Sequence, residues 1–305
     1  MRAPRSQGIM KKVLLLLLLI TAPLAAGKLK VFTTIFPVYD LSRQVGGELC
    51  EVSMLIPPGT EAHSYEPTPK QIAGLGKCDL LIYTNPYMEP WIAKAARGAG
   101  MKPGDIVNSC ENIVLLSATK GEEPDHQAYE GKDPHAWLDI GNAAKMTENI
   151  ALAFERKDPA NAAQYRRNAK AYEKALFEFD AAAKRAISGF KKKNFYFAGH
   201  FAYGYFVSRY GLSYTSPFKG FSPDAEPTPK ALAKMSDEIK KDGATVIYRE
   251  ELLSSRLADA LAAEGGLTVL ELSAAHNVSK KELAKGLTLL SILRSNLSNL
   301  ERGLK

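Results

Sequence analysis

The N-terminus opens with a short cationic stretch, Met10-Lys11-Lys12, and then an unbroken apolar run from Val13 to Ile20. A bilayer span needs about 20 apolar residues, so this run is too short to anchor the chain. Leu24-Ala25-Ala26-Gly27 follows with small residues suited to cleavage, and the pattern predicts a secretory signal peptide over residues 1–26. No Cys follows the run, so the expected product is periplasmic, cleaved from its signal and without a lipid anchor.

Beyond the signal the pattern alternates between short apolar runs and amphipathic stretches. Lys28–Phe36, Cys50–Ile56, Cys78–Thr84 and Asp105–Asn108 read as strands, with helices near Val38–Val45, Pro69–Leu75 and Met88–Ala99 between them. Alternation of this kind predicts a parallel sheet with helices on its faces. Ser117–Lys132 is polar and irregular and reads as a surface loop. From Gly141 the pattern turns wholly helical, and Ala160–Ile187 contains neither Gly nor Pro. A helix of about 28 residues is about 42 Å long, enough for a stiff strut between two lobes. Alternation then resumes, with strands at Asn194–Ala198, Thr245–Tyr248 and Thr268–Leu272. Helices are predicted at Tyr203–Tyr210, Pro229–Lys241 and Ser254–Glu264, and Lys280–Leu304 closes the chain as one more. The expected class is α/β, with two small parallel-sheet lobes, each flanked by helices, joined by one long rigid helix. The boundaries fall at 27–157 for the N-terminal lobe, 158–188 for the linking helix and 189–305 for the C-terminal lobe.

An internal echo relates the two lobes. Glu66-Pro67-Thr68-Pro69-Lys70 recurs as Glu226-Pro227-Thr228-Pro229-Lys230, each copy opening a helix with a Thr cap and a Pro just inside. Each of these helices leads to a similar strand, LLIY in one half and TVIY in the other. A duplicated half fits this better than chance, and a groove between related lobes is a natural ligand site.

Charge narrows the partners. The formal net charge is +7, but Arg2, Arg5, Lys11 and Lys12 lie in the signal, leaving +3 for a chain that starts at Gly27. That weakens a nucleic-acid reading, which wants a strong basic patch, and no nucleic-acid partner is expected; the chain is expected to be a monomer. Three separated cysteines, Cys50, Cys78 and Cys110, form no disulfide framework and no CxxC pair, and read as free thiols.

The chemistry rests with five histidines. His63 follows a strand and the Pro57-Pro58-Gly59 turn, and His135 sits in Asp133-Pro134-His135 at a loop exit. His200 follows the strand ending at Ala198, and His276 follows the one ending at Leu272. Ligand crevices in open parallel sheets form at the carboxyl ends of strands, and here each lobe supplies two imidazoles. Neutral imidazole suits zinc, copper, nickel or iron, and four nitrogens complete a tetrahedral zinc shell. His126 lies in the acidic loop with Glu122, Glu123, Asp125 and Glu130, and reads as an exposed residue or as a weak collector of metal. Imidazole must be neutral to bind zinc, so affinity is expected to fall steeply between about pH 7 and 5, with more than one proton taken up per metal lost.

Four segments occur in order after the signal: PPGTEAHSYEPTPKQI (57–72), DPHAWLDIGNA (133–143), GHFAYGYFVSRYGL (199–212) and FSPDAEPTPKAL (221–232). On these the chain resembles the bacterial zinc and manganese solute-binding proteins of ABC importers, the cluster A-I family. The resemblance implies two four-stranded α/β lobes linked by one long helix, capture of a divalent metal, and delivery to the membrane permease of a cognate importer. It places His63, His135 and His200 at the first three metal positions. Manganese relatives carry Glu at the third, so His200 favours Zn2+ as the transported ligand. The family's fourth position is acidic. Here the region reads Glu271-Leu272-Ser273-Ala274-Ala275-His276, which makes His276 the choice and Glu271 or a water the fallback.

The remaining polar residues carry bland readings beside functional ones. Asp139 and Glu226 would orient ligating imidazoles, cap helices or pair with lysines. Arg249, Glu250 and Glu251 read as an exposed salt-bridged edge, and Trp91 and Trp137 as packing. An exported zinc hydrolase is the rival class, since three His and an open position suit a metal-activated water. The chain has no HExxH, no GxSxG and no Walker loop, and a four-His shell has no open position, so no enzyme is expected. Manganese import or a surface adhesin on the same fold is the second rival.

Overall fold

The computed structural model describes residues 27–117, 131–200, 202–218, 227–252 and 256–305. The signal peptide, His126 with its acidic loop, and Glu226 lie outside the described residues.

The first sheet contains β1 (Leu29–Thr33), β2 (Cys50–Met54), β3 (Leu80–Tyr83) and β4 (Ile106–Asn108), all parallel, in the order β2-β1-β3-β4. Helices α1 (Phe36–Gly46), α2 (Pro69–Leu75) and α3 (Ile92–Gly98) form the crossovers. The second sheet repeats this plan. Strands β5 (Asn194–Ala198), β6 (Ser213–Thr215), β7 (Val246–Arg249) and β8 (Thr268–Glu271) run parallel in the order β6-β5-β7-β8. Their crossovers are α6 (Gly204–Tyr210), α7 (Pro229–Asp242) and α8 (Arg256–Gly265). The two EPTPK copies occupy matching places: Thr68 caps α2 by accepting from Gln71 N, and Thr228 caps α7 by accepting from Ala231 N.

Between the sheets run α4 (Ile140–Lys157) and α5 (Ala162–Ser188), separated by a 3-10 turn at Pro159–Asn161. The strut is therefore α5 alone, 27 residues and about 40 Å long. Its buried stripe, Tyr165, Ala169, Tyr172, Leu176, Phe179, Ala183 and Ile187, follows the three-and-four spacing of one helix face. That stripe belongs to one continuous apolar core shared by both sheets, from Leu29 and Val31 to Leu300 and Leu304. Two satellite clusters cover the outer faces in equivalent positions. Leu75, Leu81, Ala95 and Ala96 pack α2 and α3 on the first sheet; Met235, Ile239, Ile247 and Leu261 pack α7 and α8 on the second.

The C-terminal stretch departs from the sequence reading. It forms α9 (Lys280–Ala284) and α10 (Leu289–Leu304), not one helix. Gly286 has φ +77 and ends the first, and Thr288 starts the second with a capping box to Ser291. Leu289 N at the head of α10 donates to Asp40 Oδ2 on α1 at 2.8 Å, and Tyr172 on α5 donates to the same oxygen at 3.1 Å. Among the described residues no helix is long and apolar enough to cross a membrane.

Candidate metal centre

Four loops leave the carboxyl ends of β2, β4, β5 and β8 and converge between the two sheets. The first continues the β1 ladder through Leu55 N and Ile56 N to Thr33 O and Thr34 O, then turns at Gly59, whose φ is +85. Gly59 N donates across the groove to Asn277 Oδ1 at 3.0 Å, and His63 follows on the near side of this tie. His135 stands at the start of a 3-10 turn, Ala136–Leu138, that leads into α4. His200 follows Gly199, where a Cβ would lie 2.6 Å from Glu250 Oε2 and from the Phe197 ring, so only glycine admits this approach. His276 follows Ala275, a non-glycine residue at φ +63. Asn296 on α10 grips the same loop, donating to Ser273 O at 2.7 Å and accepting from Ser273 N at 3.0 Å.

The loops bring all four predicted histidines together. Their six ring-centroid separations lie between 5.1 and 6.1 Å. His135 Nε2 is 3.3 Å from His63 Nε2 and 3.4 Å from His200 Nε2. His63, His200 and His276 each offer a nitrogen within 4.8 Å of the others. His135, His200 and His276 are buried, and His63 is half-buried.

Carboxylates stand behind the rings. His135 Nδ1 lies 2.9 Å from Asp133 Oδ1, which also accepts from His135 N at 2.9 Å. His200 Nδ1 lies 2.6 Å from Glu250 Oε1, a close ion-pair approach outside the angles of a regular hydrogen bond, while Glu250 Oε2 accepts from His200 N at 3.0 Å. His276 Nδ1 and Glu251 Oε1 face each other at 3.6 Å, and neither makes a hydrogen bond. Glu251 Oε2 accepts from Ala274 N at 3.0 Å. With protons on Nδ1 toward the carboxylates, these contacts assign lone pairs to Nε2 of His135 and His200. Two such lone pairs 3.4 Å apart repel unless a proton or a cation lies between them. A tetrahedral zinc with Zn–N of about 2.0–2.1 Å requires N···N separations of about 3.3–3.4 Å. The observed spacing fits that edge.

Electrostatics divide the four rings. Burial, then the neighbouring rings, pushes His63 and His135 well below the usual imidazole range. Burial, with His200 adding to it, pulls His276 down to about 4. Burial also pulls on His200, but the Glu250 carboxylate, with Glu61 and Asp133, outweighs it and the ring ends above its ordinary value. Burial opposes the charge on Glu250, yet His200 and His276 hold its carboxyl below the usual value. Burial and the Glu250 charge push Glu251 well above it.

The carboxylate pair behind the rings is what the sequence reading missed. Glu250 and Glu251 are 2% and 7% exposed, not an exposed edge. Their signal was positional: they follow β7, the strand beside β5, at the same end as His200. Arg249 and Glu271 form the half-exposed pair instead, at 3.1 Å. Asp139 does not orient an imidazole either. It caps α4 by accepting from Asn142 N and binds both oxygens to Arg209 Nη1 at 3.0 Å. Trp137 is fully buried beside His135 and donates from Nε1 to Ala274 O at 2.7 Å. Cys50, Cys78 and Cys110 are free.

Comparison with known proteins adds the lineage. Residues 31–303 match the family model of zinc-uptake complex component A, periplasmic. The high-affinity zinc uptake system protein ZnuA of Bacillus subtilis is 37% identical over 285 residues, covering 91% of this chain and 88% of that protein. The zinc-binding protein AdcA of Streptococcus pyogenes is 34% identical, and there the match covers 95% of this chain but only 61% of the relative. Among solved structures, the metal-dependent lipoprotein YcdH of Bacillus subtilis has a TM-score of 0.77 at 36% identity, covering 91% of this chain and 99% of that one. The Zn(II)-bound ZnuA-like domain of Streptococcus pneumoniae AdcA has a TM-score of 0.77 at 32% identity, with the same coverage.

Proposed function

Because the chain belongs to the zinc-uptake complex component A family, we propose that it captures Zn2+ between its two halves through His63, His135, His200 and His276 and hands it to the permease of a cognate ABC importer. One observation supports the ligand assignment: His135 Nε2 stands 3.3 Å from His63 Nε2 and 3.4 Å from His200 Nε2, each on a different loop, at the edge length of a zinc tetrahedron. Zinc is cargo here, bound and released without turnover, and a shell of four imidazoles has no labile water for hydrolysis. Asp133 and Glu250 orient the rings of His135 and His200 while Glu251 faces His276, and together they offset the charge of the ion, as carboxylates behind metal-bound histidines do. Function in this reading starts with export: the signal peptide is removed, the mature chain acts as a monomer without a lipid anchor, and no nucleic acid is involved. The 27–157 and 189–305 portions act as the two lobes, with 158–188 as their link.

Metal analysis of protein purified without added metal, followed by competition between Zn2+ and Mn2+, tests the reading. Zinc at one equivalent that manganese does not displace is expected. Preferential retention of manganese would overturn the choice of ion, and no metal at all would overturn the site.

A further inference from the structure

Beside the four rings, Tyr205 of α6 reaches across the groove. It is buried, and its hydroxyl accepts from Leu116 N at 2.9 Å and donates to Asp133 O at 2.9 Å. Asp133 N donates in turn to Leu116 O at 2.9 Å, and Ser117 and Lys132 form an antiparallel bridge next to this pair. One phenol therefore closes a small ring of hydrogen bonds over both passing segments, using its single donor and one acceptor lone pair. Burial and the Asp133 charge push its pKa up, so the donor stays protonated. Asp133 is also the residue whose carboxylate holds His135 at both backbone N and Nδ1. A shift of the Asp133 peptide thus carries the imidazole with it. Tyr205 lies five positions after His200, so it ties the turn bearing His135 to the helix that follows His200.

We propose that Tyr205 is a positioning residue of the zinc site: its hydroxyl fixes the Asp133 peptide and so sets the direction of His135 relative to His200. This rests on the reading that those histidines ligate zinc.

The test is Tyr205→Phe in the full mature chain, titrated with Zn2+ against a chromophoric chelator. Affinity should fall about tenfold, the low end of the loss seen when partners behind metal ligands are removed. Co2+ in place of zinc should show an altered ligand-field spectrum. In a His135→Ala background, Tyr205→Phe should cost nothing further, because its effect passes through that ring. Affinity within twofold of the parent would overturn the proposal, and so would an equal loss in both backgrounds, which marks a merely structural role. If the variant does not fold, hydrogen exchange in the parent decides: slow exchange at the Leu116 amide supports the tie, and rapid exchange overturns it. Failure of the parent itself to bind zinc would instead overturn the ligand assignment.

Discussion

Glu250→Gln removes one charge and almost no volume. The parent carboxylate places both oxygens on His200, Oε1 at 2.6 Å from Nδ1 and Oε2 as acceptor of the backbone N–H at 3.0 Å. An amide has one oxygen, so one of these two contacts becomes donor against donor. Gly199 and the Phe197 ring crowd this carboxylate, and at 2% exposure water cannot supply a replacement acceptor. Loss of one buried hydrogen bond to a charged group costs about 1.5–3 kcal/mol. At about 1.4 kcal/mol per decade that is roughly a ten- to hundredfold weaker zinc complex. The same carboxylate raises His200 above 6.5, so it also strengthens the proton that competes with zinc. Gln should weaken that competitor, and the gap between variant and parent should narrow as pH falls from 8 to 6. Competition titration at three pH values measures both effects. Equal affinity of variant and parent at pH 8, or a gap that widens in acid, would refute the reasoning.

Three further outcomes follow from the same geometry. Since His63, His135 and His276 are held neutral near pH 7, protons released on zinc binding should come from His200 and Glu251. Calorimetry in buffers of different ionisation enthalpy at pH 6 should count about one to two per zinc, and three or more would contradict the assignment. His276→Ala should still bind zinc, but about ten- to hundredfold more weakly with water in the vacated place, while Glu271→Ala should match the parent, and the opposite pattern would transfer the fourth ligand to Glu271. Trp137→Phe leaves Ala274 O buried without its donor, so unfolding should be easier by about 1–3 kcal/mol, and an unchanged melting curve would show that this bond carries nothing.

Much of the fold was legible because the apolar runs are short and punctuated. Cys78–Thr84 contains β3 and Pro69–Leu75 coincides with α2, where Thr68 and Pro69 state the start outright. Strand β6 was not foreseen: three residues, Ser213–Thr215, carry too little apolar pattern to separate from a turn. The break at Gly286 was written in the sequence as a helix stop followed by a Thr cap, but the long amphipathic period on either side overrode it. The histidines stood out because they are rare and fall at strand ends. Glu250 and Glu251 did not, because an acidic pair after an arginine looks like a solvated edge until β5 is placed beside β7. The acid loss was reasoned from four imidazoles at their ordinary pKa. Burial, invisible in sequence, lowers three of them before any metal arrives.

The unequal burial of the four rings gives the site a direction of traffic. Of the four only His63 is not buried, so in the proposed zinc reading it is the ring an ion from solvent would reach first. Departure by the same route would make His63, on the loop that follows the Gly59 turn, the last ligand to let go. That turn is tied to the other half by a hydrogen bond from Gly59 N to Asn277 Oδ1. A permease that acted on this loop would open the proposed site without parting the two halves.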